Sequence, residues 1–256
     1  MNTVRFRAYS AWGKIICIII LVLSPADASG TSIIVIRSRR QLWLAADSKQ
    51  IENTGKFARN VCKIIKQESF YWAASSPFYS DPYTGFEVEG LMKQIHADKG
   101  TLVSAMRAFI EGAKGPLVRE LQSMKTDDPA LYGKIVKHKQ SPLEVVFVGL
   151  EESQPTIVWA NFIATESRGA IVVSAIPNSP EEPSVERPFG FLGMGEFSEA
   201  ERYIRANGSK LSTDTVGVIR NSMAAEEKVS KIVGSPFTII RLDASGVAWV
   251  DRGKCE

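Results

Sequence analysis

Thr31 is followed after sixteen residues by Asp47 and after thirty-two by Lys63, a spacing that suggests one site. A threonine hydroxyl is a weak nucleophile until a base takes its proton. If the chain is cut so that Thr31 becomes its first residue, the new α-amine supplies that base, because its reference pKa near 8 already suits neutral pH. No histidine is then needed. A lysine ammonium beside the hydroxyl lowers the pKa of both hydroxyl and amine, and an aspartate paired with the lysine keeps it charged and oriented. The chemistry is acyl transfer, in which the hydroxyl attacks a carbonyl and water releases the acyl-threonine intermediate. Taken singly, each residue also has a structural reading: Thr31 opening an edge strand, Asp47 capping a turn, Lys63 facing solvent.

The segment ahead of Thr31 has the character of a secretory leader. Arg5, Arg7 and Lys14 form a basic region, Ile15 to Leu23 is an unbroken apolar run, and Ser24-Pro25-Ala26-Asp27-Ala28 ends it with small residues. At nine residues the run is short for a bilayer span. Residues 1–28 therefore read as a signal peptide, and the expected destination is secreted or periplasmic. Cleavage after Ala28 leaves Ser29-Gly30 ahead of Thr31, whereas cleavage after Gly30 exposes the threonine at once. The alternative, an uncleaved membrane anchor, keeps Thr31 internal.

Residues 31–256 have ordinary globular composition and length enough for one domain with a sizeable core. The formal net charge is +3, with acids and bases interspersed, so no basic stripe argues for nucleic acid. Cys17 falls in the leader, leaving Cys62 and Cys255. They either pair in an oxidising compartment or remain as one buried and one frayed thiol. His96 and His138 are expected on a helix and in a basic loop, with solvated roles. No metal cluster, phosphate-binding glycine loop or dinucleotide fingerprint appears, and the chemistry needs no cofactor.

The elements that must position Thr31, Asp47 and Lys63 begin with a hairpin. Ser32 to Arg37 reads as a buried strand, Ser38 to Gln41 as a turn and Leu42 to Ala46 as the returning strand. After a polar stretch from Lys49 to Asn60, a second pair is expected from Val61–Ile65 and Phe70–Ala74 around Glu68-Ser69. Asp81-Pro82 signals a helix carrying Val88, Leu91, Met92 and Ile95 on one face. A second amphipathic helix starts at Leu102 and is expected to break at Gly115-Pro116. Strands follow at Glu144–Leu150, Thr156–Ala164 and Ile171–Ile176, then a proline-rich loop from Pro177 to Pro188. Helices are expected at Phe197–Ala206 and Thr213–Val233, before a last hairpin of Phe237–Leu242 and Val247–Val250. Runs of strands alternating with runs of helices favour a layered α+β architecture, with helices packed on two antiparallel sheets. Asn207-Gly208-Ser209 is a glycosylation sequon where the host glycosylates, and otherwise a helix-ending turn.

Thr31 before a strand, the tetrapeptide Ala45-Ala46-Asp47-Ser48 and Lys63 at these offsets resemble the opening of a proteasome β-type subunit, a family of N-terminal threonine hydrolases. The resemblance extends to Asp81, to Gly30 before the threonine, and loosely through the element order to about Val250. It implies an N-terminal nucleophile (Ntn) hydrolase fold: a four-layer αββα sandwich of two antiparallel sheets flanked by helices. It also implies catalytic roles for Thr31, Asp47 and Lys63, processing at Ala28 or Gly30, and cleavage of peptide or other amide bonds. By the same resemblance Val61, Ile65, Ser75 and Tyr79 border the substrate pocket, and the chain self-associates.

Three departures from the family pattern stand out. The oxyanion glycine is replaced in Ser75-Ser76-Pro77, where Pro77 has no N–H. The Asp-x-x-Ser-Gly segment that supports the threonine amine becomes Ser230-Lys231-Ile232-Val233-Gly234, leaving Ser230 and Gly234 as supporting candidates. The serine of a glycine-rich turn has no clear match in Leu192-Gly193-Met194-Gly195-Glu196. Two other functions therefore stay open: a non-catalytic module serving assembly or ligand binding, and a non-peptide amidase or acylase on the same fold.

Overall fold

The computed structural model describes residues 31–51, 57–77, 80–81, 84–95, 101–180 and 183–255. The opening hairpin, β1 (Ser32–Ser38) and β2 (Gln41–Ala46), forms as expected. The polar stretch after it contains a short ribbon, β3 (Lys49–Ile51) with β4 (Phe57–Asn60). β5 (Ile65–Gln67) and β6 (Phe70–Ser75) make the second hairpin. Its first strand is shorter than expected, because residues 61–64 run irregularly and Lys63 is not on a strand.

The helix expected after Asp81 starts later. Asp81 lies in β7 (Ser80–Asp81), which pairs with β8 (Phe86–Glu87), and α1 spans only Val88–Lys93. Conversely, α2 (Leu102–Asp127) runs straight through Gly115-Pro116. The residue before a proline is normally driven from the helical region by contact with the proline ring, and Gly115 has no Cβ to make that contact. Burial of Leu117, Leu121 and Met124 beyond the proline continues the face begun by Met106, Phe109 and Ile110, which offsets the lost hydrogen bond. α3 (Pro129–Val136) follows, started by the Asp128 side chain, which accepts from the Leu131 N–H at 2.9 Å.

The long run expected at Thr156–Ala164 is two strands. β9 (Glu144–Glu151) pairs with β10 (Gln154–Asn161), and after Phe162 the chain leaves the sheet as the ribbon β11 (Ile163–Ser167) and β12 (Ala170–Ser174). The segment read as a glycine-rich turn is a strand, β13 (Phe189–Gly195), bonded along all of β1. α4 (Ser198–Ala206), a single 3₁₀ turn, α5 (Thr215–Val229) and the hairpin β14 (Thr238–Asp243) with β15 (Gly246–Asp251) complete the chain.

Two antiparallel sheets result, ordered β13-β1-β2-β14-β15 and β10-β9-β6-β5. Strand alternation sends each sheet's residues to two different apolar clusters. Ile33, Val35, Leu44 and Met194 of the first sheet meet Tyr71, Ala73, Val146, Val148 and Trp159 of the second. The alternate residues Ile34, Ile36 and Trp43 pack under α4 and α5. On the second sheet Phe70, Trp72 and Phe147 pack under α1, α2 and α3. Cys62 and Cys255 form a disulfide that ties the irregular segment before Lys63 to the last described residue of the chain.

Candidate active site

Asp47 ends the β1–β2 hairpin, one residue beyond β2 and opposite the start of β1. Its backbone N–H donates to the Ser32 carbonyl at 3.2 Å, and its side chain turns back to accept from the Ser32 N–H at 2.9 Å. The residue that follows Thr31 is thereby clamped by Asp47. Lys63 arrives from the irregular segment and donates to both Asp47 oxygens, at 2.9 and 3.0 Å. Two further amides converge on the same carboxylate: Lys49 N–H at 3.1 Å and Gly234 N–H at 3.4 Å. The Asp47 side chain is fully enclosed and that of Lys63 is only 10% exposed. Burial pushes the Asp47 carboxyl up and the Lys63 ammonium down, each opposed by the charge of the other. Three backbone donors and a two-point ammonium contact fit the ionised pair, because each hydrogen bond stabilises the charged carboxylate.

Thr31 is buried in the intact chain. Its carbonyl accepts from the Glu196 N–H at 3.0 Å, just beyond the end of β13. Gly195, in register with Ser32, has φ +68°, and a Cβ there would lie 1.8 Å from the Thr31 carbonyl oxygen and 2.6 Å from Ser75 Oγ. Only glycine fits both that conformation and that approach. The structure thus gathers Thr31, Asp47, Lys63 and Ser75 to one end of the two sheets.

The supporting candidates divide. Gly234 backs the pair directly through its amide to Asp47, and its carbonyl accepts from Ser48 N–H at 3.2 Å. Ser230, the residue that ends α5, donates from Oγ to Glu196 at 2.5 Å and accepts from the amides of Ile232 and Val233 at 3.2 and 3.3 Å. Of the pocket candidates, Val61 is half-buried and its N–H donates to Ser48 at 2.7 Å, whereas Ile65 packs against the cluster under α1–α3. Pro77 sits two residues past β6 and offers no amide. Tyr79, Ala28, Gly30 and His96 lie outside the described residues, and His138 is exposed after α3.

Two carboxylates here escape sequence reasoning. Glu196 follows Gly195, is half-buried, and has its pKa raised, mainly by burial. Glu144 opens β9 half-buried, and desolvation pushes its carboxyl up to about 7 against the Gly195 amide, which donates to it at 2.6 Å. The only sequence signal was Glu144's place in the alternation with Val146 and Val148. Nothing in the sequence said which face of that strand meets Thr31.

No family model matches the chain, and no curated protein matches it. Among solved structures it is similar to an Anbu (Gly-1) mutant from Hyphomicrobium sp. strain MC1, with 12% identity over 86% of this chain and 85% of that one, at a TM-score of 0.52. At that identity the likeness is one of fold. No helix among the described residues is long and apolar enough to cross a membrane.

Proposed function

We propose that this chain is a threonine-type Ntn hydrolase, a divergent exported relative of the proteasome β-type subunits that cleaves peptide or related amide bonds. The observation that carries this reading is the enclosed Lys63–Asp47 pair, whose carboxylate also holds the amide next to Thr31. Likeness to Anbu, a proteasome-related protein of Ntn-hydrolase type, supports it, as does the packing of helices against the outer faces of two antiparallel sheets. On this reading the fold is the αββα sandwich, and Thr31 becomes the mature N-terminus by removal of the leader. Its α-amine takes the hydroxyl proton as Oγ attacks the substrate carbonyl, and Lys63, held charged by Asp47, favours the ionised oxygen. The amine then protonates the leaving nitrogen, and water hydrolyses the acyl-threonine. The chain assembles with copies of itself, as do the proteasome relatives it resembles.

The test is the mature N-terminus of protein exported from its native host, read by intact mass, followed by acylation with a small β-lactone probe. A chain beginning at Thr31 that takes up one acyl group, lost in Thr31→Ala, is the expected result. A mature chain that retains Ser29-Gly30 caps the amine and overturns the proposal in favour of the non-catalytic module. Pro77 is the specific observation behind that second reading, because it removes the amide expected to stabilise the oxyanion.

A further inference from the structure

Glu144 is a carboxylate that the proposed reaction does not use. Residues 146 and 148 of β9 project into the layer between the two sheets, so Glu144, two residues earlier, shares their face. From there it crosses to the other sheet and accepts the Gly195 N–H at 2.6 Å. This is the one hydrogen bond by which a side chain of β9 holds β13 among the described residues. Gly195 lies against the Thr31 carbonyl, and the next amide, Glu196, donates to that carbonyl at 3.0 Å. A displacement of Glu144 is therefore passed through two adjacent backbone groups to Thr31.

The surroundings of Glu144 call for a proton. On one side its cross-strand partner is Ser75 and on the other Asn161. Asn161 shares the inter-sheet face with Trp159, and its Oδ1 is buried without a hydrogen-bond partner among the described residues. Directly opposed residues of antiparallel strands have Cβ atoms about 5 Å apart, so the longer glutamate side chain can turn its carboxyl toward the asparagine oxygen. The charged groups of the neighbouring elements are engaged elsewhere: Glu196 accepts from Ser230, and Lys63 bonds Asp47. In the unprocessed chain, desolvation opposed only by the Gly195 amide places the carboxyl near pH 7, and in the mature chain the α-amine of Thr31 is the one charged group added beside it.

We infer that Glu144 is a proton-holding positioning residue for Thr31: as the acid it accepts from the Gly195 amide with one oxygen and donates to Asn161 Oδ1 with the other, fixing the 195–196 turn beneath the nucleophile. This rests on the reading of Thr31 as the nucleophile. Loss of the proton sets two acceptors against each other across β9 and β10 and loosens the turn. Its folded pKa lies above the unfolded value, so the stability that Glu144 contributes is full below about pH 4.5 and lost as the pH rises to about 7.

The test compares mature wild type with Glu144→Gln, whose amide offers the same acceptor to Gly195 and a permanent donor to Asn161. Melting temperatures should coincide near pH 4 and separate as the pH rises, the variant exceeding wild type by roughly 5–10 °C at pH 8. Acylation of Thr31 by the β-lactone should decline severalfold in wild type above pH 7 and hold in the variant. A merely structural glutamate would shift the melting temperature by the same amount at every pH, and parallel melting curves overturn the inference. The infrared carbonyl stretch of a protonated carboxylic acid, titrating near pH 7 in wild type, reads the same proton if the variant does not fold, and its absence also overturns the inference. A melting gap that opens with pH while Thr31 is unreactive in both proteins supports the Glu144 proton and overturns the nucleophile reading, so the two failures are distinct.

Discussion

The two walls of the site hold their carboxylates in opposite ways. On one wall Asp47 meets an ammonium at two points and three backbone amides. On the other Glu144 accepts one amide and stands opposite Asn161, whose Oδ1 has no partner among the described residues, with no cation bonded to it. Both are desolvated, so burial alone does not set the protonation state. The number and sign of the partners do. Asp47 is furnished as a fixed charge that orients Lys63, and Glu144 as a neutral acid that pins a turn.

The largest effect is expected from breaking the first wall. Lys63→Met leaves Asp47 buried without its cation and should cost about 3–5 kcal/mol in denaturant unfolding, together with a loss of roughly 10²–10⁴ in acylation rate. Adding Asp47→Asn, which keeps an acceptor for the backbone amides, should restore part of the stability and none of the reactivity. If the double variant is no more stable than the single, the pair is not behaving as a buried ion pair. Next, Cys62→Ser with Cys255→Ser should lower stability by about 2–5 kcal/mol. Acylation should fall as well, because Cys62 anchors the irregular segment that delivers Lys63. Unchanged acylation in a folded double variant would show that the Asp47 contacts alone place the lysine.

On the second wall, Glu144→Gln should be more stable than wild type by up to about 3 kcal/mol above pH 7, and equal to it near pH 4. The sign follows from a raised folded pKa: only wild type must ionise a buried carboxyl as the pH rises. Asp47→Asn, read in the same pH series, should show no matching gain at high pH, and a matching gain would erase the distinction between the walls. Ser230→Ala is the mildest test. It removes the contact to Glu196 and the cap on Ile232 and Val233, for about 1 kcal/mol by denaturant titration.

The two walls also differ in how well the sequence revealed them. The Thr31–Asp47–Lys63 wall is nearly local: a hairpin and a short excursion bring its groups together, so offsets along the chain carry the information. Even there the path of Lys63 differs from the expected strand, since Val61 to Ile65 is mostly β-branched and apolar like a strand while the disulfide and the Asp47 contact hold it irregular. Pro116 misled in the opposite sense, because breaker rules weigh the proline and not the missing Cβ before it. β13 was hidden by its glycines, which suit a turn in isolation and here permit close approach to Thr31.

What the sequence by itself determined is the order of most of the larger elements, the apolar alternation that splits each sheet between two clusters, and the spacing of Thr31, Asp47 and Lys63. These depend on neighbours along the chain or on the two-residue period of a strand. Only the tertiary structure decided that Glu144 crosses between sheets to Gly195, that Ser230 meets Glu196, and that Cys62 reaches Cys255. Those contacts join residues far apart in the chain, and their existence depends on which strand faces which. Sheet register is fixed by burial of whole faces, a property of the packed molecule that no local pattern contains.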